Sequence, residues 1–285
     1  MKISVVIATF NAAETIAVCL QSIANQTWPD KEIIVIDGGS TDGTIRILQD
    51  FEEQIAYWES KPDDGIFDAW NKALDHVTGT WVLYLGADDQ LWDERALERA
   101  HPSLASAPPS ALVYYGTCVV VDKYGFTRRI LGEPWETARR RFFQEMAIPD
   151  MATFHHVELF RRFGRFDPSL RLSADYDLLL RVLKHPDVEA KFIPGVIVTK
   201  MFDGGVSGTR VFRSRYEAIL ARRRNHIPGL SWLLYWQLIT NFRFWLLRRA
   251  SRLILGVDAA DRLYRWRRRA RSDRLQEELV QGSSS

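Results

Sequence analysis

Cysteine is scarce: Cys19 and Cys118 are the two among 285 residues, and each sits inside an apolar or mixed run. No disulfide framework follows from such a pair, and a reducing compartment is implied. A secretory leader is also missing, because Met1-Lys2-Ile3-Ser4-Val5-Val6-Ile7 passes directly into Ala8-Thr9-Phe10-Asn11 with no cleavage pattern. The start reads as a first strand. His155 and His156 have no cysteine or acid at metal-ligand spacing, and Glu158 does not complete an H-E-x-x-H pattern. A dinucleotide fingerprint is absent too. Gly38-Gly39-x-x-x-Gly43 is not G-x-G-x-x-G, and Asp37 precedes the glycines instead of following them by about twenty residues, which argues against NAD. No clean run is long enough to span a bilayer, which takes about twenty apolar residues; Gln237, Asn241 and Arg243 interrupt 229–247.

Lysine disappears from one region. Between Arg210 and Arg271 there are sixteen arginines, no lysine and three acids, a local charge of +13 in a chain whose total is +2, so the remainder carries −11. An acidic body with a basic tail implies an anionic surface as partner of the tail. Nucleic acid fits poorly, since the tail has long aliphatic runs where basic residues interleaved with aromatics would be needed. An aromatic-rich, arginine-flanked helix over 229–271, lying in a membrane interface, fits better. Packing of that helix on the catalytic body, or on a second copy in a homo-oligomer, stays open.

What is present is ample apolar content for a sizeable core, and a pattern of buried strands that end in polar groups. Lys2 to Ala8 stops at Thr9; Glu32-Ile33-Ile34-Val35-Ile36 ends at Asp37; Thr80-Trp81-Val82-Leu83-Tyr84-Leu85 leads through Gly86-Ala87 to Asp88-Asp89. Helical periodicity follows each of the first two, with Ile16, Leu20 and Ile23 on one face of the first helix. Strand, loop and helix in alternation predict an α/β fold whose strand ends share one rim, where open sheets bind ligands. Acids there suit a hard divalent cation or a hydroxyl-rich ligand. They also suit turns and helix caps: Asp89 or Asp93 for the helix expected over Asp93–Ala100, and Asp37 or Asp42 for the helix starting near Thr44. Pro102 and Pro108-Pro109 mark a loop, and Ala111–Gly116 and Cys118–Asp122 read as one or two further strands. His155 to Phe163 reads as a short helix stopped by Gly164. Ser173 is placed as an N-cap, with Asp175 and Asp177 in the first helical turn, where acids are favoured in any case.

Four blocks carry a resemblance: Ser4–Asn11, Glu32–Thr44, Pro62-Asp63-Asp64-Gly65-Ile66-Phe67-Asp68-Ala69-Trp70-Asn71-Lys72, and Leu85-Gly86-Ala87-Asp88-Asp89. Together they resemble the amino-terminal half of a GT-A-fold, family 2 glycosyltransferase. The resemblance implies a Rossmann-like, mixed, mainly parallel sheet flanked by helices. It also implies a nucleotide-sugar donor, a UDP-sugar first of all, and Mg²⁺ or Mn²⁺ on the diphosphate. Carried over by position, Thr9, Asp37 and Asp63 contact the nucleoside, Asp88 the ribose or metal, and Asp89 the metal. Many members have Asp or Asn where this chain has Gly86, so the metal role rests on Asp88 and Asp89.

Phe163-Gly164-Arg165-Phe166-Asp167 before an acidic helix start resembles the region that supplies the family's catalytic base. Asp175 aligns with the base, and Ala174 stands where a Glu is common. His155, His156 and Asp177 are carried as acceptor or diphosphate contacts, against the plainer reading of His155 and His156 as a polar helix start. Phe202-Asp203-Gly204-Gly205-Val206-Ser207 resembles a loop that closes over the donor. Processive synthases carry Gln-x-x-Arg-Trp; Arg262-Leu263-Tyr264-Arg265-Trp266 lacks the Gln, so transfer of one sugar per encounter is expected. The expected organisation is a catalytic domain at 1–215, with 1–92 for the donor and 93–215 for the acceptor, an amphipathic helical extension at 216–271 and a flexible end at 272–285. The expected function is inverting transfer to a lipid-linked saccharide, at the inner face of the plasma membrane, in cell-surface polysaccharide synthesis. A polyprenyl-phosphate sugar synthase and a non-catalytic sugar-nucleotide-binding module are the alternatives.

Overall fold

A computed structural model describes residues 1–122, 124–203 and 211–227, together with Trp236, Ile239, Thr240, Arg243, Ser272, Asp273, Leu275 and Glu277. The β-branched and aromatic runs become β1 (Ile3–Thr9), β2 (Lys31–Asp37), β3 (Tyr57–Ser60) and β4 (Trp81–Gly86), and the amphipathic runs between them become α1 (Ile16–Ala24), α2 (Thr44–Asp50) and α3 (Ile66–Ala73). There follow β5 (Gln90–Leu91), α4 (Ala96–Ala105), β6 (Val113–Val121), β7 (Thr127–Leu131), α5 (Trp135–Phe142), β8 (Thr153–His156), α6 (Val157–Phe163), α7 (Ala174–Leu183), β9 (Ala190–Phe202) and α8 (Val211–Arg224).

Among the described residues these strands form one sheet in the order β3-β2-β1-β4-β8-β6-β9-β5, with β7 paired to β6. The first four are parallel, as helical crossovers require, and β8 joins them antiparallel. The fold is thus a mixed α/β sheet flanked by helices. Period-two alternation splits the core cleanly. Val5, Ile7, Ile33, Val35, Leu83 and Leu85 pack on α1 and α4, while Val6, Ile34, Ile36, Val82 and Tyr84 pack on α3 and α7. Each such side chain contributes about 1.5–3 kcal/mol on burial, so the parallel half is a rigid platform.

Register fixes the platform's two ends. Thr9 lies opposite Asp37 and Ala8 opposite Gly86, so three strands finish level with one another. At the starting edge, Glu32 is buried and accepts from Ser4 Oγ, from Thr78 Oγ1 at 2.6 Å, and from the Thr78 and Gly79 amides at 2.8 and 3.2 Å. Lys2 stands 3.5 Å away. That carboxylate has no unmet need.

Several local expectations are corrected. The helix expected over Asp93–Ala100 runs from Ala96 to Ala105 and continues through Pro102, held by the buried stripe Leu97, Ala100 and Leu104. The β6 residues form one strand of nine. The short helix expected from His155 begins at Val157, because Thr153–His156 are drawn into the sheet as β8. The charged helix α5 goes unread in the sequence. The boundary expected between 215 and 216 falls inside α8, whose Glu217, Ala218 and Ala221 are buried in the body. Ser272, expected in a flexible end, is helical and buried, its Oγ accepting from the Thr127 amide at 2.9 Å. The donor-covering loop beyond Asp203, Arg262–Trp266 and most of 229–271 lie outside the described residues. Among the described residues no helix is long and apolar enough to cross a membrane.

Candidate active site

The loop after β1 and the loop after β2 clasp each other. Asn11 adopts a left-handed φ of 49°, which Asn tolerates, and its side chain accepts from the Thr41 amide while its own amide donates to Ser40 Oγ. Asp37 is completely buried at the base of this clasp. Its oxygens take the amides of Gly39 and Ser40 at 3.0 and 2.8 Å, the Ser60 hydroxyl at 2.6 Å, and the Ser40 hydroxyl. Asp37 therefore shapes the loop from beneath. Asp42 braces the start of α2, accepting from the Thr44 amide at 3.1 Å and from Ala13 at 3.0 Å. Asp63 closes the same corner: a Cβ on Gly38 would lie 2.9 Å from its Oδ2, so a side chain there would push that carboxylate aside. Burial first, with Asp68 and Asp37 adding to it, raises the Asp63 pKa. Thr9 Oγ1 is buried at the rim without a partner among the described residues.

The turn after β4 brings two carboxylates to one point. The Asp89 amide donates to Gly86 O at 3.0 Å and the Gly86 amide to Asp89 Oδ2 at 3.2 Å, folding the turn back on itself. A Cβ on Gly86 would meet Asp88 Oδ1 at 2.9 Å and Asp89 Oδ2 at 3.0 Å. Both carboxylates thus fold back over the glycine that departs from the family pattern, and a side chain there would require one of them to shift. Asp89 is buried to 4% exposure, and burial, then the charge of Asp88, push its pKa up to about 8. Neither Asp88 nor Asp89 caps α4, whose N-cap residue Arg95 makes no side-chain capping bond. Two hard oxygens converging in a buried turn fit Mg²⁺ or Mn²⁺, which binds through one or two carboxylates with substrate phosphates completing the shell. No group of three candidate ligands exists among the described residues, so the remaining ligands would come from the donor.

Two further acids come from the second half. Asp175 opens α7, where Ser173 occupies the N-cap position but donates its hydroxyl to Ser214 O at 3.1 Å, so the helix start is not capped by a side chain. Asp175 Oδ1 is sealed from solvent and has no partner among the described residues. Burial pushes its pKa up to about 6, with the charge of Glu217 on α8 adding to the effect. Glu217 itself accepts from the Leu172 amide at 2.6 Å and from Arg213 at 2.9 Å, fixing the approach to α7. Asp150, in a 3₁₀ turn just before β8, was not anticipated from the sequence. Its Oδ1 is likewise sealed and unpartnered. Burial raises its pKa well above the usual carboxylate range, and the charges of Asp175 and Asp89 raise it further. Asp150 thus stands within electrostatic reach of both, linking the doublet after β4 to the start of α7. Asn71 ties the halves together, exchanging bonds with the Phe166 backbone at 2.9 and 3.1 Å.

Three expected contacts lie elsewhere. Because β8 runs antiparallel to β4, His156 and His155 face Trp81 and Val82, near the strand's start, roughly 13 Å along the sheet from Gly86. His155 is fully enclosed between Tyr84 and Phe160, and burial lowers its pKa to about 4. His156 caps α6, its Nδ1 accepting from Glu158 at 3.2 Å, as the plainer reading has it. Asp177, two residues past Asp175 and about 200° around the helix, bonds Arg181 at 3.1 Å and Asn225 at 2.8 Å. It lines a separate cavity of about 470 Å³ with Arg165, Lys184 and Arg224.

A family model for glycosyl transferase family 2 matches residues 4–165. A PGL/p-HBAD biosynthesis glycosyltransferase of Mycobacterium bovis is 33% identical over 213 residues, 73% of this chain and 80% of the relative. A cholesterol galactosyltransferase of Borreliella burgdorferi is 36% identical over 92 residues, 32% of this chain and 26% of its own. Among solved structures, residues 1–349 of S. aureus TarS with UDP-GlcNAc superpose with a TM-score of 0.64 at 18% identity, covering 79% of this chain and 65% of that one. Against a longer S. aureus TarS chain the coverage is 39% of that chain. The mannosyltransferase PcManGT of Pyrobaculum calidifontis, with GDP-Man and Mn²⁺, superposes with a TM-score of 0.62 at 18% identity, covering 99% of this chain and 83% of its own. These likenesses show the same fold.

Proposed function

The chain belongs to glycosyl transferase family 2, and from that premise we propose that it moves one sugar, with inversion, from a nucleotide-sugar donor to a hydroxyl of a lipid-linked saccharide. The observation that supports this reading is that Asp150, within electrostatic reach of both Asp89 and Asp175, keeps a buried carboxylate oxygen unpartnered among the described residues, as Asp175 does. Unpartnered buried acceptors call for a ligand's donors. Thr9, Asp63 and Asp88 would hold the nucleoside and ribose, on a loop that Asp37 supports from below. Asp88 and Asp89 would hold a divalent cation, which when bound neutralises the diphosphate of the leaving group.

Asp175 acts as the base, taking the proton from the acceptor hydroxyl as its oxygen attacks the anomeric carbon opposite the leaving diphosphate. Its pKa near 6 leaves it mostly ionised at neutral pH yet basic enough to accept the proton. Asp150, within electrostatic reach of it, would hydrogen-bond the bound acceptor. The buried surroundings strengthen each of these interactions by excluding water. A lipid acceptor is supported by the cholesterol galactosyltransferase among the relatives and by the arginine-rich, apolar sequence over 229–271. That segment would keep the protein on the inner face of the plasma membrane, where cell-surface polysaccharides are begun.

The test follows nucleoside diphosphate release from a panel of UDP- and GDP-sugars, with and without Mn²⁺ and a lipid-linked saccharide. Release that needs both additions in the wild type, and that Asp175→Asn loses without losing donor affinity, supports the reading. Near-normal turnover in Asp175→Asn removes the base assignment.

A further inference from the structure

Away from the rim, the cavity of about 470 Å³ opens between the C-terminal ends of α7 and α8 and the segment 165–167. Its volume is that of a small-molecule site. Lys184, on its wall, lies nine residues beyond Asp175, about 13 Å along α7, so the cavity is separate from the acidic rim. The floor is polar and paired. Asp177 and Asn225, both buried, bond one another at 2.8 Å, and Arg181 holds the other Asp177 oxygen at 3.1 Å. Two more arginines on the wall have carboxylates of their own: Arg165 meets Asp75, and Arg224 meets Asp167 at 2.6 Å. Lys184 differs from them. Its ammonium makes one long bond, 3.3 Å to Asn225 Oδ1, and has no carboxylate partner among the described residues.

Basic side chains often gather at helix ends to meet free carbonyls. Here the chain itself meets them. At the end of α7, Leu180 O and Val182 O take the amides of Lys184 and His185, both at 3.2 Å. At the end of α8, Arg222 O takes the Ile227 amide at 3.0 Å, Arg223 O the His226 amide at 3.1 Å, and Ala221 O the Asn225 Nδ2 at 2.9 Å. The Lys184 ammonium is therefore left for a group outside the chain. Arg224 uses only Nη1, on Asp167 and Ser169, which leaves Nη2 and Nε without a partner among the described residues.

The two amide bonds that close α8 are the pair that ends a helix on a left-handed residue, a position glycine usually fills. His226 fills it here, at a φ of 58°. Asn11, in the clasp beside Asp37, is the other non-glycine residue with positive φ among the described residues. A backbone held in a costly conformation, with a ring at a cavity wall, points to a use for the ring.

We propose that this cavity is a second binding site, for a phosphate ester, whose anionic group sits among Lys184, His226 and the open edge of Arg224. An ammonium and a guanidinium edge supply charge-assisted donors to phosphate oxygens. A lipid headgroup and a soluble phosphate ester present the same chemistry. Position favours the lipid, because the apolar, arginine-rich stretch from 229 begins two residues past Ile227. The site stands independently of the transfer reaction and of the acids that serve it.

The test has two arms on the full chain: calorimetric titration of glycerol 3-phosphate, and co-sedimentation with phosphatidylglycerol vesicles against phosphatidylcholine vesicles. Each compares wild type with Lys184→Gln, His226→Gly and Arg95→Gln, the last removing a charge from the start of α4, across the sheet from α7. Wild type binds at least one phosphate probe, and its affinity falls roughly tenfold in Lys184→Gln and less steeply in His226→Gly, while Arg95→Gln matches wild type. His226→Gly relieves the backbone as it removes the ring, so it melts at or above wild type and its weaker binding is no folding defect. A loss seen with glycerol 3-phosphate assigns the site to a soluble phosphate ester; a loss seen with vesicles alone assigns it to a lipid headgroup. Equal affinities in all variants, an equal fall in Arg95→Gln, or a wild type that binds neither probe overturns the site.

Discussion

The starting edge and the finishing rim of the parallel strands both bury carboxylates, and, apart from the fully partnered Asp37, they treat them in opposite ways. Glu32, at the start, would be pushed up by burial, yet the bonds from Ser4 and Thr78 and the charge of Lys2 bring its pKa below the ordinary value. Asp89, Asp150 and Asp175, at the finish, have pKa values pushed up, chiefly by burial. Both sets sit against the same well-packed sheet, so packing does not explain the difference. Partners do. Glu32 has its oxygens met by the chain, Asp150 and Asp175 each keep one open among the described residues, and Asp89 holds two backbone amides but lies beside the charge of Asp88.

The strongest way to break this comparison is to remove one acid at each end. At the rim, Asp175→Asn lowers turnover by roughly 10²–10⁴-fold while donor affinity holds, read by steady-state release of nucleoside diphosphate. At the start, Glu32→Gln lowers stability by about 3 kcal/mol, read by denaturant unfolding, because Ser4, Thr78 and Gly79 lose an ionised acceptor they share. Turnover per folded molecule stays near normal in that variant. Loss of activity from the starting edge, or of stability from the rim, would erase the distinction.

pH sharpens it further, with a smaller effect. Glu32 has a lowered pKa, so it adds stability above the ordinary carboxylate range, and that stability is lost as pH falls through its folded value. The rim acids have raised values, so their contribution runs the other way. The folded state binds their protons more tightly, and stability declines as pH rises from about 4, the ordinary aspartate value, towards the 8 of Asp89. The ligand-free protein should lose stability steadily from this source between pH 5 and 8. Adding UDP with Mn²⁺ should restore more at pH 8 than at pH 6, as melting curves will register.

Much of this was legible in the chain. Runs such as Ile3–Thr9 and Trp81–Gly86 are buried on both faces and announce parallel strands, and their polar ends announce the rim. What escaped depends on register and on contacts between distant segments. Asp150 follows Pro149 in a stretch without periodicity, and only the antiparallel direction of β8 carries it to the rim. That same direction carries His155 and His156 away from it. Asp37 is expected at the rim from the sequence, but the four groups that donate to it come from Gly39 and Ser40, in a loop that the sequence shows only as a turn, and from Ser60 at the end of β3. Ser272 gave no local sign that it would dock on Thr127, because nothing near it in sequence is apolar enough to mark burial.

The most direct measurement is thermal unfolding of the ligand-free protein at pH 8 for Asp89→Asn, Asp150→Asn, Asp175→Asn and Glu32→Gln. Neutralising a rim acid removes a buried charge that burial and, at Asp89, the neighbouring Asp88 disfavour, so each of the first three should melt about 2 °C or more above wild type, while Glu32→Gln melts below it. Rim variants that melt as far below wild type as Glu32→Gln would contradict the claim that those carboxylates are held open for a ligand.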